Sequence, residues 1–345
     1  MSVPGRPTGH SGLARRAAAS SEAHVAQAAQ ETLERGNAVD AVVAGVLAAA
    51  AESPAVFLGP VQFLVGGGGG GLLAIDGRVR QPGLGVPRPR GFLADEPIPM
   101  AARVGVPMLP GALAAAAASL GTLSLLRLAG PAIAWARQRS PERAAFFEFF
   151  ARRGAQSLTH DAVASELMVA AGRAARGLLT RDDLSRARPD VVRFDDRRPE
   201  ASGILTVPWR APGDHDASVT HLVIAADARG QVAAACYETA IDGVSVPALG
   251  IVAPPCAAPV MRGLARVGPG EFRPASAPIA IRARHGFVDL AIGVAATSHA
   301  ERSLQSALEA LDEMPTVVEA LATILDGRPV AIVRSSEHTR VLASA

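Results

Sequence analysis

The chain contains no lysine; all 34 of its basic residues are arginine. Schiff-base catalysis and the phosphate-gripping lysine of a P-loop both need an ε-amine, so PLP-dependent and P-loop chemistries are excluded. Aromatic residues are scarce at 4%, and the arginines, scattered rather than striped, nearly balance 32 acidic residues. No stacking platform or basic groove results, and no nucleic-acid partner is expected. The two cysteines, Cys236 and Cys256, lie 20 positions apart without a CxxC spacing. That fits a reducing compartment or two small buried side chains, and neither a structural metal nor a cofactor is expected. The catalytic signatures GxSxG, HExxH and SxxK are also missing. The most apolar run, 41–51, holds only eleven residues, too short to span a bilayer. The N-terminal stretch has no secretory apolar core. The expectation is a soluble, cytoplasmic protein with no membrane partner and a disordered leader over 1–20.

Hydrophobic residues make up 49% of the 345, enough to bury a large core. Ser20 or Ser21 can cap a helix running to Leu33, with Gly36 as its stop. After Asn37-Ala38-Val39-Asp40, the segment 41–51 is apolar all round and predicts a buried helix. Strands are expected at 61–65 and 72–77, joined by the six glycines 66–71. Prolines and glycines recur over 81–110 and predict irregular chain. Helical pattern returns at 111–120, around 123–139 and within 142–175, and Thr180 is a candidate cap for a short helix at 182–184. The C-terminal third turns β-prone. One hairpin joins 219–226 to 231–237 through the turn 227–230, and a second joins 278–283 to 287–292. Helices at 300–311 and 316–325 precede a strand at 330–334. Helices first, paired strands next and helices last imply an α+β layering.

The glycine run fails as a phosphate cradle, because no Lys-Ser/Thr follows it and a strand, not a helix, comes next. A loop or a close backbone approach is the expectation. Asp214-His215-Asp216 has the composition of a solvated turn rather than a metal cluster, and Asp182-Asp183 suit the positive end of a helix dipole. Thr220 opens a predicted strand after the polar loop 211–218. Cutting the Val219–Thr220 bond would give Thr220 a free α-amine able to act as base for its own hydroxyl. Residue physics alone favours an ordinary strand-initiating threonine.

Several stretches together resemble the gamma-glutamyltransferase family of N-terminal-nucleophile hydrolases. Gly36-Asn37-Ala38-Val39-Asp40-Ala41 matches its GNAVDA motif, and the glycines 66–71 resemble its glycine-rich turn. Val106-Pro107 and Pro110-Gly111 resemble its VPG element, and Gly177-Leu178-Leu179-Thr180-Arg181-Asp182-Asp183-Leu184 its GLLTxEDL segment. Placing Thr220 on the family's catalytic threonine brings Asp227 and Gly230 onto its D-x-x-G turn without a gap. The resemblance runs from about Ser20 to the last strand. It implies a four-layer αββα sandwich made as one precursor. A large-subunit-like segment 21–219 and a small-subunit-like segment 220–345 would then form one globular domain.

The resemblance also implies site residues: Thr220 as nucleophile after self-cleavage, amides at Ala296 and Thr297 for the oxyanion, and Ser276, Glu238 and Arg80 toward the substrate. The chain departs from the family at His221-Leu222, where Thr-His is usual. It departs again at Pro82-Gly83-Leu84-Gly85, which lacks the arginine that clamps a glutamyl carboxylate. Arg78, Arg80 or Arg88 would have to substitute. The implied function is an autoprocessing amidohydrolase or acyltransferase acting on a small-molecule amide other than a standard γ-glutamyl compound. The alternative is an inactive paralogue serving as scaffold or partner subunit, in a homo- or hetero-oligomer.

Overall fold

Two antiparallel sheets carry the molecule, and their strands alternate side chains into different cores. The computed structural model describes residues 15–87, 89–194, 203–206, 218–284, 287–296, 299–313, 328–334 and 339–343. The helices are α1 (Ala23–Leu33), α2 (Ala38–Glu52), α3 (Leu109–Leu120), α4 (Leu125–Arg137), α5 (Pro141–Arg153), α6 (Asp161–Ala171), α7 (Arg181–Ser185) and α8 (Ala300–Glu313). The first five strands are β1 (Ala17–Ser20), β2 (Val61–Gly66), β3 (Leu72–Gly77), β4 (Asp190–Phe194) and β5 (Ile204–Thr206). They are followed by β6 (Ser218–Ala226), β7 (Val232–Ala240), β8 (Val244–Val246), β9 (Ile251–Ala253), β10 (Ile279–Arg284), β11 (Phe287–Ala295), β12 (Arg328–Arg334) and β13 (Thr339–Ala343).

One sheet has the order β1-β6-β7-β2-β3-β4, the other β13-β12-β11-β10-β5, and β8 pairs with β9 alone. Helices α1 and α2 cover the outer face of the first sheet, the sheets pack on each other, and α8 covers the second. This is the expected α+β, four-layer αββα sandwich. The period-2 alternation of β6 divides its residues between two cores. Val223 and Ala225 join Val25, Val42, Leu47 and Tyr237 beneath the helices. Leu222 and Ile224 join Leu64, Cys236, Ile279 and Ile281 between the sheets. A third core, with Leu290, Ile292, Leu304 and Leu308, lies under α8.

Helix α2 is apolar all round because it is central: Ala38 to Ala51 are all buried. Asn37 caps it, with Asp40 closing a reciprocal capping box. The Asp40 carboxylate also accepts from the Thr122 amide and hydroxyl (3.0 and 2.5 Å) and the Leu123 amide (3.2 Å). A Cβ on Gly36 would stand 2.6 Å from Asp40 Oδ2, so the motif's first position admits glycine only. At the far end, Arg143 donates to the carbonyls of Ala51 (2.6 Å) and Gly250 (2.8 Å). The glycine run makes the β2–β3 turn. Four of its residues have φ between +66° and +77°, and a Cβ on Gly67 would lie 2.2 Å from the Gly230 carbonyl oxygen.

At the end of the stretch expected as a leader, Ala17–Ser20 forms a strand paired with β6, Ala17 against Ala226 and Ser20 against Val223. Ser20 does not cap α1. Its hydroxyl donates to the Leu222 carbonyl (2.6 Å) and accepts from the Glu22 amide (3.2 Å), tying the chain to β6. Strands β4, β5, β8, β9 and β13 were not anticipated. Three are only three residues long, and β4 and β13 are edge strands, which lack a two-sided buried pattern. Arg88, Thr297, the loop 211–217 with Asp214-His215-Asp216, the turn positions 285–286 and the expected helix 316–325 lie outside the described residues.

Candidate active site

Thr220 shares the inter-sheet face of β6 with Leu222 and Ile224 and is only 3% exposed. Strand β1 ends opposite Val223, so the backbone of β6 before that point has no β1 partner. Ala296, just beyond β11, takes the place: the Thr220 amide donates to the Ala296 carbonyl (2.9 Å), and the Ala296 amide donates to the Thr220 carbonyl (3.2 Å). Across the strand pair stands Glu238 on β7, also buried, in direct register with Thr220. Its carboxylate accepts from the Ser276 amide (2.8 Å). Ala277 donates its amide to Glu301 in the first turn of α8 (2.7 Å). Cys236 Sγ reaches Gln62 Oε1 (3.3 Å).

The structure thus gathers Thr220, Glu238, Ser276 and Ala296 at one end of the inter-sheet layer. Ser276 reaches Glu238 through its backbone amide. The Ala296 amide, expected for an oxyanion, is engaged by Thr220 in the uncut chain. The Arg80 guanidinium binds Asp190 (2.9 Å) and the Arg188 carbonyl (3.1 Å) and lies over Phe272. Arg78 is paired with Asp76 (2.8 Å). A cavity of about 640 Å³, with Arg90, Phe92, Arg173, Arg176 and Thr180 in its wall, is not lined by Thr220.

No family model matches the sequence, and no curated protein does. Among solved structures, cephalosporin acylase from Bacillus halodurans superimposes with a TM-score of 0.71 over 100% of this chain and 96% of that one, at 15% identity. The fold is that of the N-terminal-nucleophile hydrolases. LmbA2991 is similar over 95% of this chain and 96% of its own, with a TM-score of 0.69 at 13% identity. The likeness to gamma-glutamyltranspeptidase from Pseudomonas nitroreducens covers 56% of this chain and 68% of that one, with a TM-score of 0.45 at 22% identity. At such identities the shared property is the fold.

On the opposite face of the same β6–β7 pair lies a second polar group that sequence reasoning missed. His221 Nε2 is 3.0 Å from Thr239 Oγ1, and Nδ1 is 3.4 Å from Glu22 Oε2. The imidazole stacks on Tyr237, with centroids 5.6 Å apart, and the Tyr237 hydroxyl donates to Glu22. Burial lowers the His221 pKa, Glu22 opposes that, and His24 and Arg328 add to the lowering. Burial, reinforced by Glu22, pushes the Tyr237 phenol well up. Burial and then Glu238 do the same to both thiols, which stay protonated and are poor nucleophiles. The sequence offered little signal for this group: the strand expected at 231–237 stops short of Thr239, whereas the observed strand runs Val232–Ala240, and the partners depend on register.

Proposed function

We propose that this chain is an autoprocessing amidohydrolase or acyltransferase of gamma-glutamyltransferase-like type that cuts itself between Val219 and Thr220. The observation that carries the reading is Thr220, buried at the inter-sheet end of β6 directly opposite Glu238, in a fold of the N-terminal-nucleophile class. The Thr220 hydroxyl attacks the Val219 carbonyl, the C–N bond breaks, and the hydroxyl proton passes to the departing nitrogen. Water then hydrolyses the ester, leaving a Val219 carboxylate and a Thr220 with free hydroxyl and α-amine. That amine serves as base when the hydroxyl attacks a substrate amide. Cross-strand pairing sets the Thr220 and Glu238 Cβ atoms about 5 Å apart, so the two side chains face the same space between the sheets.

Arg78 and Arg80 are both held by carboxylates, which favours an amide lacking the α-carboxylate of a γ-glutamyl compound. A side-chain amide of the kind the Bacillus halodurans acylase is named for is a first probe. Mass spectrometry of the purified full chain tests the reading. Fragments ending at Val219 and beginning at Thr220 are expected, and Thr220→Ala stays whole; a wild-type chain that remains intact on long incubation overturns it.

One observation favours a second reading, that of a non-catalytic scaffold: the Ala296 amide is hydrogen-bonded to Thr220 itself. This reading entails no processing and no labelling of Thr220 by a hydroxyl-directed electrophile. Loss of amidase activity on Thr220→Ala substitution would refute it.

A further inference from the structure

The hydroxyl of Thr239 does more than meet His221. It also lies 3.4 Å from the carbonyl oxygen of Val219, the group that self-cleavage must attack. We propose that Thr239 is a positioning residue for self-cleavage, its hydroxyl set by His221 and Glu22 to donate to the Val219 carbonyl as Thr220 attacks; this inference rests on the cleavage reading above.

Three features support it. The first is the face of attack. Thr220 points into the inter-sheet layer, whereas Thr239, two residues from Tyr237, lies on the helix side. As the Thr220 oxygen adds to the carbonyl carbon from one face, the carbonyl oxygen swings toward the other, where the Thr239 hydroxyl stands. The second is the distance. At 3.4 Å the bond is weak in the resting chain, and a donor to a developing oxyanion shortens and strengthens, so it favours the transition state over the ground state.

The third is proton counting. A threonine hydroxyl carries one proton. With His221 neutral and its Nδ1 proton directed at Glu22, Nε2 is an acceptor and takes the Thr239 proton, which leaves the Val219 carbonyl without it. With His221 protonated, Nε2 donates to Thr239 Oγ1, and the hydroxyl proton turns to Val219. The groups around the imidazole are Glu22 and His24 from the α1 end, Tyr237 from β7 and Arg328 from β12. Burial holds His221 neutral at neutral pH, so cleavage accelerates as the pH falls. In this step the imidazole only redirects a hydrogen bond; the Thr220 proton still leaves with the nitrogen.

The experiment follows the intact mass of full chain made by cell-free synthesis at about pH 8 and shifted to values from roughly 5.5 to 8, the range of histidine titration. The wild type is expected to cleave faster toward the acid end. Thr239→Val should be at least about tenfold slower with a flat profile, since one oxyanion donor supplies effects of that order or larger. Thr239→Ser should restore rate and profile, and His221→Asn should flatten the profile. Wild-type cleavage with the same rate and profile in Thr239→Val overturns this inference and leaves the cleavage reading standing. No fragment from the wild type at any pH overturns both. Circular dichroism checks folding; should Thr239→Val not fold, an acid acceleration that persists in His221→Asn overturns the inference by itself.

Discussion

At the scale of single residues, the face of the sheet decides what each polar side chain does. Thr220 and Glu238 are cross-strand neighbours between the sheets, while His221, Tyr237 and Thr239 point the other way toward Glu22. Glu238 has a structural duty as well, because its carboxylate is the acceptor for the Ser276 amide. Glu238→Ala leaves that donor without its partner and should cost about 1–3 kcal/mol, whereas Glu238→Gln keeps an acceptor oxygen and should cost less. Urea unfolding of the two variants, compared at equal m-value, measures the difference. Equal losses would show that the Ser276 contact contributes nothing.

At the scale of elements, the motif most specific to the family resemblance turns out to hold helix α2 in place. Asp40 completes the capping box and ties the helix start to Thr122 and Leu123, and Arg143 ties its end to β9's approach at Gly250. Removing the carboxylate in Asp40→Ala frees several buried donors together and should destabilise the fold by at least about 3 kcal/mol. Arg143→Met keeps the apolar stem and loses the carbonyl contacts, for roughly 2 kcal/mol. Denaturant midpoints check both values. The Asp227 turn repeats the theme: one Oδ accepts from Arg229 and Gln231 (2.8 and 3.1 Å), and the other faces the Ala38 amide at 3.4 Å. This turn links the hairpin to the start of α2.

At the scale of the whole molecule, the buried titratable groups set a pH window for stability. Tyr237, Cys236 and Cys256 have pKa values raised in the fold, so the unfolded chain loses these protons first. Their contribution is complete below about pH 8.5, where unfolded thiols begin to ionise, and is lost as the pH rises further. His221 acts in the opposite sense. Its pKa is lowered in the fold, so its contribution is present above the unfolded value near 6.5 and is lost as the pH falls below it. The thermal midpoint should therefore be highest between about pH 6.5 and 8.5. Because the chain has one tyrosine, alkaline absorbance reports Tyr237 alone. Phenolate should appear only together with unfolding; ionisation of the intact fold near pH 10 would contradict the burial of that ring.

Local patterns in the chain were enough to specify the buried α2, the glycine turn and the β6–β7 hairpin, because hydrophobic period and positive-φ turns act over a few residues; the Asn37 cap emerged only in the structure. They also placed Thr220 at the head of its strand. They did not reveal that Ala17–Ser20 is a strand, because four small residues carry no period of their own and are ordered by the edge of β6. The environment of Thr220 was likewise out of reach. The Ser276 amide on Glu238, the Ala296 bridge, the pairing of Arg80 with Asp190 and the meeting of Glu22 with His221 all join residues far apart in the chain. Those contacts follow from strand register and from how two sheets and their helices stack, and a shift of one residue in the register of β6 or β7 would turn His221 or Glu238 to the other face.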